Sequence, residues 1–256
     1  MHIINRLYHG EFDYPEMSKA PAKAVMVASL PRSGSTIFCE HMWRTGCLGA
    51  PMEYPAIPNR FELYRRLGSE NSSDYWRKVQ AVRTSPNGVF SYKMFINNLL
   101  NISREHPDLY REMQSTHIVY FTRADLLGQA ISHSRALRSG IWFAGVNRDV
   151  RIDYDEKHID KCLKNIIEQK LFWEELFRAS GSTVHRVLYE DFMLQPDITM
   201  NAIADFVGVA LEDGCRMDIP LIESQRDETS REWRQRYLAS KSVRDLENRY
   251  EKLIEA

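Results

Sequence analysis

Ala24-Val-Met-Val-Ala-Ser-Leu-Pro-Arg-Ser-Gly-Ser-Thr-Ile-Phe38 decides the fold of this 256-residue chain. Ala24 to Leu30 is a short, Val-rich apolar run, the pattern of a strand buried in a parallel sheet. Pro31-Arg-Ser-Gly-Ser-Thr36 breaks it, and Ile37, Phe38, Met42 and Trp43 then recur at helical spacing until Thr45-Gly46. A glycine at a strand-to-helix turn lets the backbone approach a ligand closely. The first N–H groups of the new helix are unpaired, and its dipole favours an anion. Ser33, Ser35 and Thr36 add hydroxyl donors and Arg32 adds a charge, so Pro31, Arg32, Ser33, Gly34, Ser35 and Thr36 form a candidate anion loop. The competing reading, a Ser-rich helix cap beside an incidental arginine, ignores the strand in front of it.

Working outward, the pattern repeats. Ser85-Pro-Asn-Gly88 is a strong turn signal after two amphipathic helical stretches near 59–68 and 73–84, and Val89 to Phe95 reads as a second strand. His117 to Thr122 is a third strand. It runs into Arg123-Ala-Asp125, where Asp125 is a plausible N-cap for a helix through Leu137. A long helix is predicted over about 155–179, a fourth strand over 183–188, a helix from Pro196 to near Gly208, and one or two surface helices beyond Ser230. Strands alternating with helices indicate an α/β fold with a mostly parallel central sheet, in which ligands sit at the carboxyl ends of strands.

The loop departs from the nucleotide-binding pattern GxxxxGK[ST]. Counted back from Thr36, Gly34 fits the second glycine, but Ser29 stands at the first and Ser35 replaces the lysine that reaches a terminal phosphate. This argues against ATP or GTP. Arg123 at the end of the third strand and Ser132 two turns into the next helix could clamp a second phosphate, with Gln129 and Arg135 at helical spacing. Taken alone, Arg123 would be assigned to a surface pair with Asp125. Beside the first loop, it suggests a ligand with two separated phosphates.

Composition limits the partners. With 34 Lys plus Arg against 35 Asp plus Glu, the chain has no bulk attraction for a polyanion, so nucleic acid is not expected as a partner. Four cysteines without a CxxC pair read as buried thiols, and the eight histidines show no HxxxH or HExxH spacing, so no metal site is expected. Residues 1–23 lack the apolar core of a signal peptide, and no run is long enough to span a membrane, which predicts a cytoplasmic protein. Residues 22–256 read as one domain and 1–21 as an N-terminal arm or tail.

Together these residues resemble the PAPS-dependent sulfotransferases: Pro31 to Thr36 their 5′-phosphosulfate loop, Arg123 with Ser132 their 3′-phosphate site, and Leu188-Tyr-Glu-Asp191 before Pro196 their late strand. Within them the chain is similar to the bacterial Stf-zero type, which includes trehalose, lipopolysaccharide and Nod-factor sulfotransferases. The matching stretches are Ser33-Gly-Ser-Thr36, Pro51-Met-Glu53, Pro86-Asn-Gly-Val89 with Lys93, Arg123-x-Asp125 with Gln129-Ala130 and Ser132, Arg135-Ala136, Trp142, and Ser230-x-Glu-Trp233 with Tyr237.

The resemblance implies a P-loop NTPase-like three-layer sandwich and transfer of a sulfuryl group from PAPS (3′-phosphoadenosine 5′-phosphosulfate) to a hydroxyl, releasing PAP. A sulfuryl group carries less charge than a phosphoryl group, so a magnesium clamp is not required. Glu53 is implied as general base; a partly desolvated loop carboxylate suits proton abstraction. Arg32 would stabilise the departing 5′-phosphate, and Lys93 would either approach the sulfuryl group or lie at the surface. Gln225 and Arg226 align loosely with a late nucleotide-contacting loop, although Ser224 stands where the family has arginine. Ala50, Met52, Glu53, Tyr54 and Trp142, with Arg60 nearby, are expected to line the acceptor pocket. The implied acceptor is a carbohydrate or glycolipid, and a homodimer is possible. A small-molecule or nucleoside kinase and a non-catalytic nucleotide-fold protein are the alternatives.

Overall fold

A computed structural model describes residues 8–55, 59–142, 150–211 and 228–240, with the backbone alone at 59–61. Four strands, β1 (Lys23–Ser29), β2 (Val89–Phe95), β3 (His117–Thr122) and β4 (Val184–Leu188), form one sheet in the order β2-β1-β3-β4. Every neighbouring pair is parallel, and Ser29 stands level with both Phe95 and Phe121, so the strands end along one edge.

Alternation along the strands separates two cores. Met26 and Ala28, with Phe90, Tyr92, Met94, Ile118 and Tyr120, face one layer of helices. Val25 and Val27, with Val89, Val119, Phe121 and Val187, face the other. The first layer includes α3 (Ser72–Arg83), α4 (Ile96–Glu105), α5 (Pro107–Glu112) and α7 (Glu156–Ser180). The second contains α1 (Ser35–Arg44), α8 (Tyr189–Leu194) and α9 (Pro196–Val207). Two further helices, α2 (Asn59–Arg66) and α10 (Glu228–Ser240), flank the first layer, as does α6 (Leu126–Ser139). This is the expected α/β three-layer sandwich.

Local signals account for the element ends. Asp125 accepts from the Gly128 amide at 3.0 Å as the N-cap of α6, as the sequence predicts. Asp155 caps α7 through the His158 amide, and Gly181 closes that helix in the left-handed region. Trp173, buried on α7, donates to the Ser29 carbonyl at 3.2 Å and fixes the end of β1.

The N-terminal segment packs against the domain. From Tyr8 onward, the stretch read as an arm or tail belongs to the core, where Tyr8 and Phe12 are buried. The amides of Tyr14 and Met17 donate to Val82 and Ala81 at 2.8 Å, and Asp13 pairs with the fully buried Arg83 at 2.9 Å. A buried guanidinium needs a counter-charge, and this segment supplies it. Cys39, Cys47 and Cys162 are buried and in no disulfide, while Cys215 lies outside the described residues. No described helix is long and apolar enough to cross a membrane.

Candidate active site

The loop between β1 and α1 sits at the carboxyl edge of the sheet. Gly34 is left-handed, with φ +94°, and a Cβ there would lie 2.5 Å from the Tyr189 ring, so only glycine fits. As the N-cap of α1 it has no side chain to bond the first amides, which stay open to an anion. Arg32 has φ +62° and is the one non-glycine residue with positive φ among those described. Such strain costs roughly 1–2 kcal/mol and must be held by the surroundings. Ser29 Oγ donates to the Phe121 carbonyl at 2.8 Å and accepts from Ser33 at 2.9 Å, and Gln129 donates to the Pro31 carbonyl at 2.7 Å. The loop is therefore tied to β3 and α6.

Arg32 does not lie over its own loop. Its Nε donates to Ser132 Oγ at 2.9 Å and its Nη1 to the Trp142 carbonyl. Burial, then the charges of Arg123 and Arg135, lower its pKa to about 10. Arg32, bonded to Ser132, thus feels the repulsion of two further guanidinium groups, which a polyanionic ligand would relieve.

Arg123 is largely buried. Its Nη2 lies 3.4 Å from Asp125, and its guanidinium stands 5.3 Å from the centre of the Tyr189 ring. Its buried Nε makes no hydrogen bond, the nearest Glu190 oxygen being 4.0 Å away. Glu190 accepts from the amides of Ala124 and Asp125, and Arg234 on α10 holds Asp125 at 2.7 Å. The Asp125 contact expected of a surface pair is present, but within this supported cluster. A buried donor without a hydrogen bond, beside other cations, fits a phosphate.

A second centre faces the α1 side. Met52 forms a parallel bridge with Tyr92, and its carbonyl accepts from the Lys93 amide at 2.9 Å. That contact lays the loop after α1 along β2. Lys93 is 4% exposed and pairs with Glu53 at 2.8 Å; its ammonium also donates to Thr36 Oγ1 at 3.2 Å. Burial opposes the charge on Lys93, but Glu53, Cys39 and Glu40 together outweigh it, so the pKa of Lys93 is raised. Lys93 is therefore not a surface lysine, the second of its two sequence readings. Glu53, Lys93 and Thr36 form a continuous chain at the mouth of the anion loop.

Not every expected pocket residue faces it. Ala50, Met52 and Tyr54 are buried, and the Tyr54 ring packs against Phe90 and beneath Arg83. Tyr54 is fully buried, its hydroxyl donating to the Ala50 carbonyl, so its ring is closed to a sugar. Trp142 lies beside His133, with ring centres 6.1 Å apart. Gln225 and Arg226 lie outside the described residues, and nothing is described of the Arg60 side chain. Among the described residues no group of three or more His, Cys, Asp or Glu side chains could hold a metal.

Tyr189, Glu190 and His133 were missed as site residues. Tyr189 and Glu190 were legible only as part of the late-strand motif, and His133 only as the neighbour of Ser132. Burial, then Arg32 and His158, lower the His133 pKa to about 4, so its ring is neutral at physiological pH.

The family model for Stf0 sulphotransferase matches residues 24–240. Trehalose 2-sulfotransferase of Mycobacterium tuberculosis is 25% identical over 264 residues, covering 87% of this chain and 97% of that protein. The enzyme of the same name from Mycolicibacterium smegmatis is 26% identical, with 86% and 96% covered. Among solved structures, a sulfotransferase from Alicyclobacillus acidocaldarius gives a TM-score of 0.48 at 13% identity, over 87% of this chain and 92% of that one.

Proposed function

The chain belongs to the Stf0 sulphotransferase family, and we propose that it transfers a sulfuryl group from PAPS to a carbohydrate hydroxyl with Glu53 as general base. The observation that carries this reading is the chain Glu53–Lys93–Thr36, with contacts of 2.8 and 3.2 Å. It sets a carboxylate beside the loop that would hold the 5′-phosphosulfate. A carbohydrate acceptor is favoured by the two relatives, whose names specify trehalose.

PAPS supplies a sulfuryl group activated by its bond to the 5′-phosphate. The amides near Ser33 to Thr36 hold that end. Arg123, Ser132 and Arg135 hold the 3′-phosphate, with Arg32 reaching between the two sites. Glu53 takes the proton of the acceptor hydroxyl as its oxygen bonds to sulfur. The S–O bond to the 5′-phosphate breaks, and the loop amides stabilise the charge left on PAP. Lys93 keeps Glu53 aimed at the acceptor and its charge close to the transferred group. Trp142 and the Glu53 loop flank the space in which the acceptor would sit.

Thermal shift with PAP, ADP and ATP–magnesium in parallel tests the nucleotide part. PAP alone should raise the Tm, because only a ligand bound to the folded state stabilises it. A shift with ATP–magnesium and none with PAP would overturn the reading in favour of a kinase.

A further inference from the structure

The loop carrying Glu53 is fixed by a segment that lies outside the family match. The matched region begins at residue 24, whereas the segment that holds the loop is residues 8–17. At the near end of the loop, the Tyr14 hydroxyl donates to the carbonyls of Trp43 and Gly49, at 2.9 and 3.3 Å. Gly49 has φ +72°, and a Cβ there would lie 2.7 Å from the Ser91 amide, so the backbone is pressed onto β2.

At the far end, Arg83 stands 5.8 Å from the ring centres of both Phe12 and Tyr54. Its guanidinium pairs with Asp13 at 2.9 Å and donates to the His9 carbonyl at 3.1 Å. Asp13 also receives both Arg66 nitrogens, at 2.7 and 2.9 Å. Tyr54 is held in turn, because its carbonyl accepts from Tyr75 at 2.9 Å and its hydroxyl reaches back to Ala50. Glu53 therefore stands between two anchored points, Gly49 and Tyr54. The Tyr8 phenol is buried in the same cluster, and its pKa is raised by burial first and by the Glu53 charge next.

We propose that residues 8–17 are a positioning element for Glu53, acting through Tyr14 at Gly49 and through Asp13 and Arg83 at Tyr54. The proposal rests on the reading of Glu53 as the base. A carboxylate held at both loop ends keeps a fixed distance from the anion loop, and small misplacements of such a group slow the chemistry without weakening donor binding. Asp13 and Tyr14 touch no reacting atom in this account.

The test compares the whole protein with its Tyr14→Phe, Asp13→Asn, Asp13→Glu and Glu53→Gln variants. Three quantities are measured: PAP affinity by calorimetry, backbone hydrogen exchange in peptides covering 48–55 and 23–29, and PAPS turnover with trehalose as acceptor. Tyr14→Phe and Asp13→Asn should leave PAP affinity within about twofold and speed exchange in 48–55 by about tenfold, with 23–29 unchanged. Turnover should fall by about 10–100-fold at unchanged KM for PAPS, and Asp13→Glu should recover part of it. Tyr14→Phe removes one hydroxyl and keeps the test valid if Asp13→Asn folds poorly. The exchange readout does not depend on the acceptor. Wild-type exchange at 48–55 in both variants, or faster exchange with undiminished turnover, would overturn the proposal. Wild-type turnover by Glu53→Gln would instead overturn the assignment of the base.

Discussion

Removing either member of the Glu53–Lys93 pair should stop turnover, but the two losses should differ sharply in stability. At 2.8 Å and an effective dielectric constant of about 20, the attraction is about 6 kcal/mol before desolvation is charged against it. The partners are unequally buried: the Lys93 side chain is 4% exposed and that of Glu53 is 22%. Glu53→Gln leaves a buried ammonium without its counter-charge, which costs about 3 kcal/mol. Lys93→Met puts an apolar chain of similar length in the interior and frees a carboxylate that can reach water, costing about 1 kcal/mol or less. For a chain of this size each kcal/mol is worth about 2–4 °C, so Glu53→Gln should lower the Tm by about 6–12 °C and Lys93→Met by a few degrees. The double variant should recover most of the stability that Glu53→Gln loses. The sign with pH follows from Lys93, whose pKa is raised above the ordinary lysine value. The stability linked to the Lys93 charge is full at neutral pH and is lost as pH climbs through that raised value. Urea denaturation of the three variants measures these differences, and PAPS turnover should fall at least about 100-fold in each. Equal destabilisation by the two single variants, or additivity in the double variant, would refute the reasoning.

His133, whose pKa burial lowers to about 4, is protonated more readily in the unfolded chain. Its contribution is therefore complete above about pH 6.5 and is lost as pH falls towards 4; about 2 kcal/mol should go between pH 7 and 5, and His133→Phe should flatten that slope in denaturation. Gly34→Ala drives a Cβ against the Tyr189 ring at 2.5 Å in a left-handed turn. It should abolish stabilisation by PAP in thermal shift, and a wild-type shift would remove the loop from the nucleotide site. Arg123→Met removes a guanidinium whose Nε is buried without a hydrogen bond. PAP affinity should fall at least about tenfold while AMP affinity changes little, and calorimetry with both ligands would show whether this arginine meets the 3′-phosphate.

The sheet and its anion loop were legible because their signals are local. A Val-rich run, a Gly-containing break and a helical period lie within a few residues of one another, and Asp125 caps its helix as a short polar residue should. The helices at 96–105 and 107–112 were not legible. Ile96-Asn-Asn-Leu-Leu-Asn continues β2 without a breaker, its asparagines are weak helix formers, and Phe95 at the N-cap has no capping side chain. The helix Tyr189–Leu194 is also too short to show a period.

The pairing of Glu53 with Lys93 depends on the Met52–Tyr92 bridge, a contact between segments 40 residues apart that local spacing does not encode. Tyr54 illustrates the same limit from the other side. An aromatic next to a candidate base suits a sugar face or, more commonly, a core, and contacts with Phe90, Tyr75 and Arg83 from distant parts of the chain commit it to the core.

The central claim is transfer of a sulfuryl group from PAPS to a carbohydrate hydroxyl with Glu53 removing the proton. It is tested most directly by incubating the protein with sulfur-35-labelled PAPS and a panel of saccharides and glycolipids, including trehalose. Label should appear on a carbohydrate with the wild-type protein, and none with Glu53→Gln although that variant still binds PAP. Label transferred at the wild-type rate by Glu53→Gln, or PAP failing to bind the wild-type protein, would contradict it.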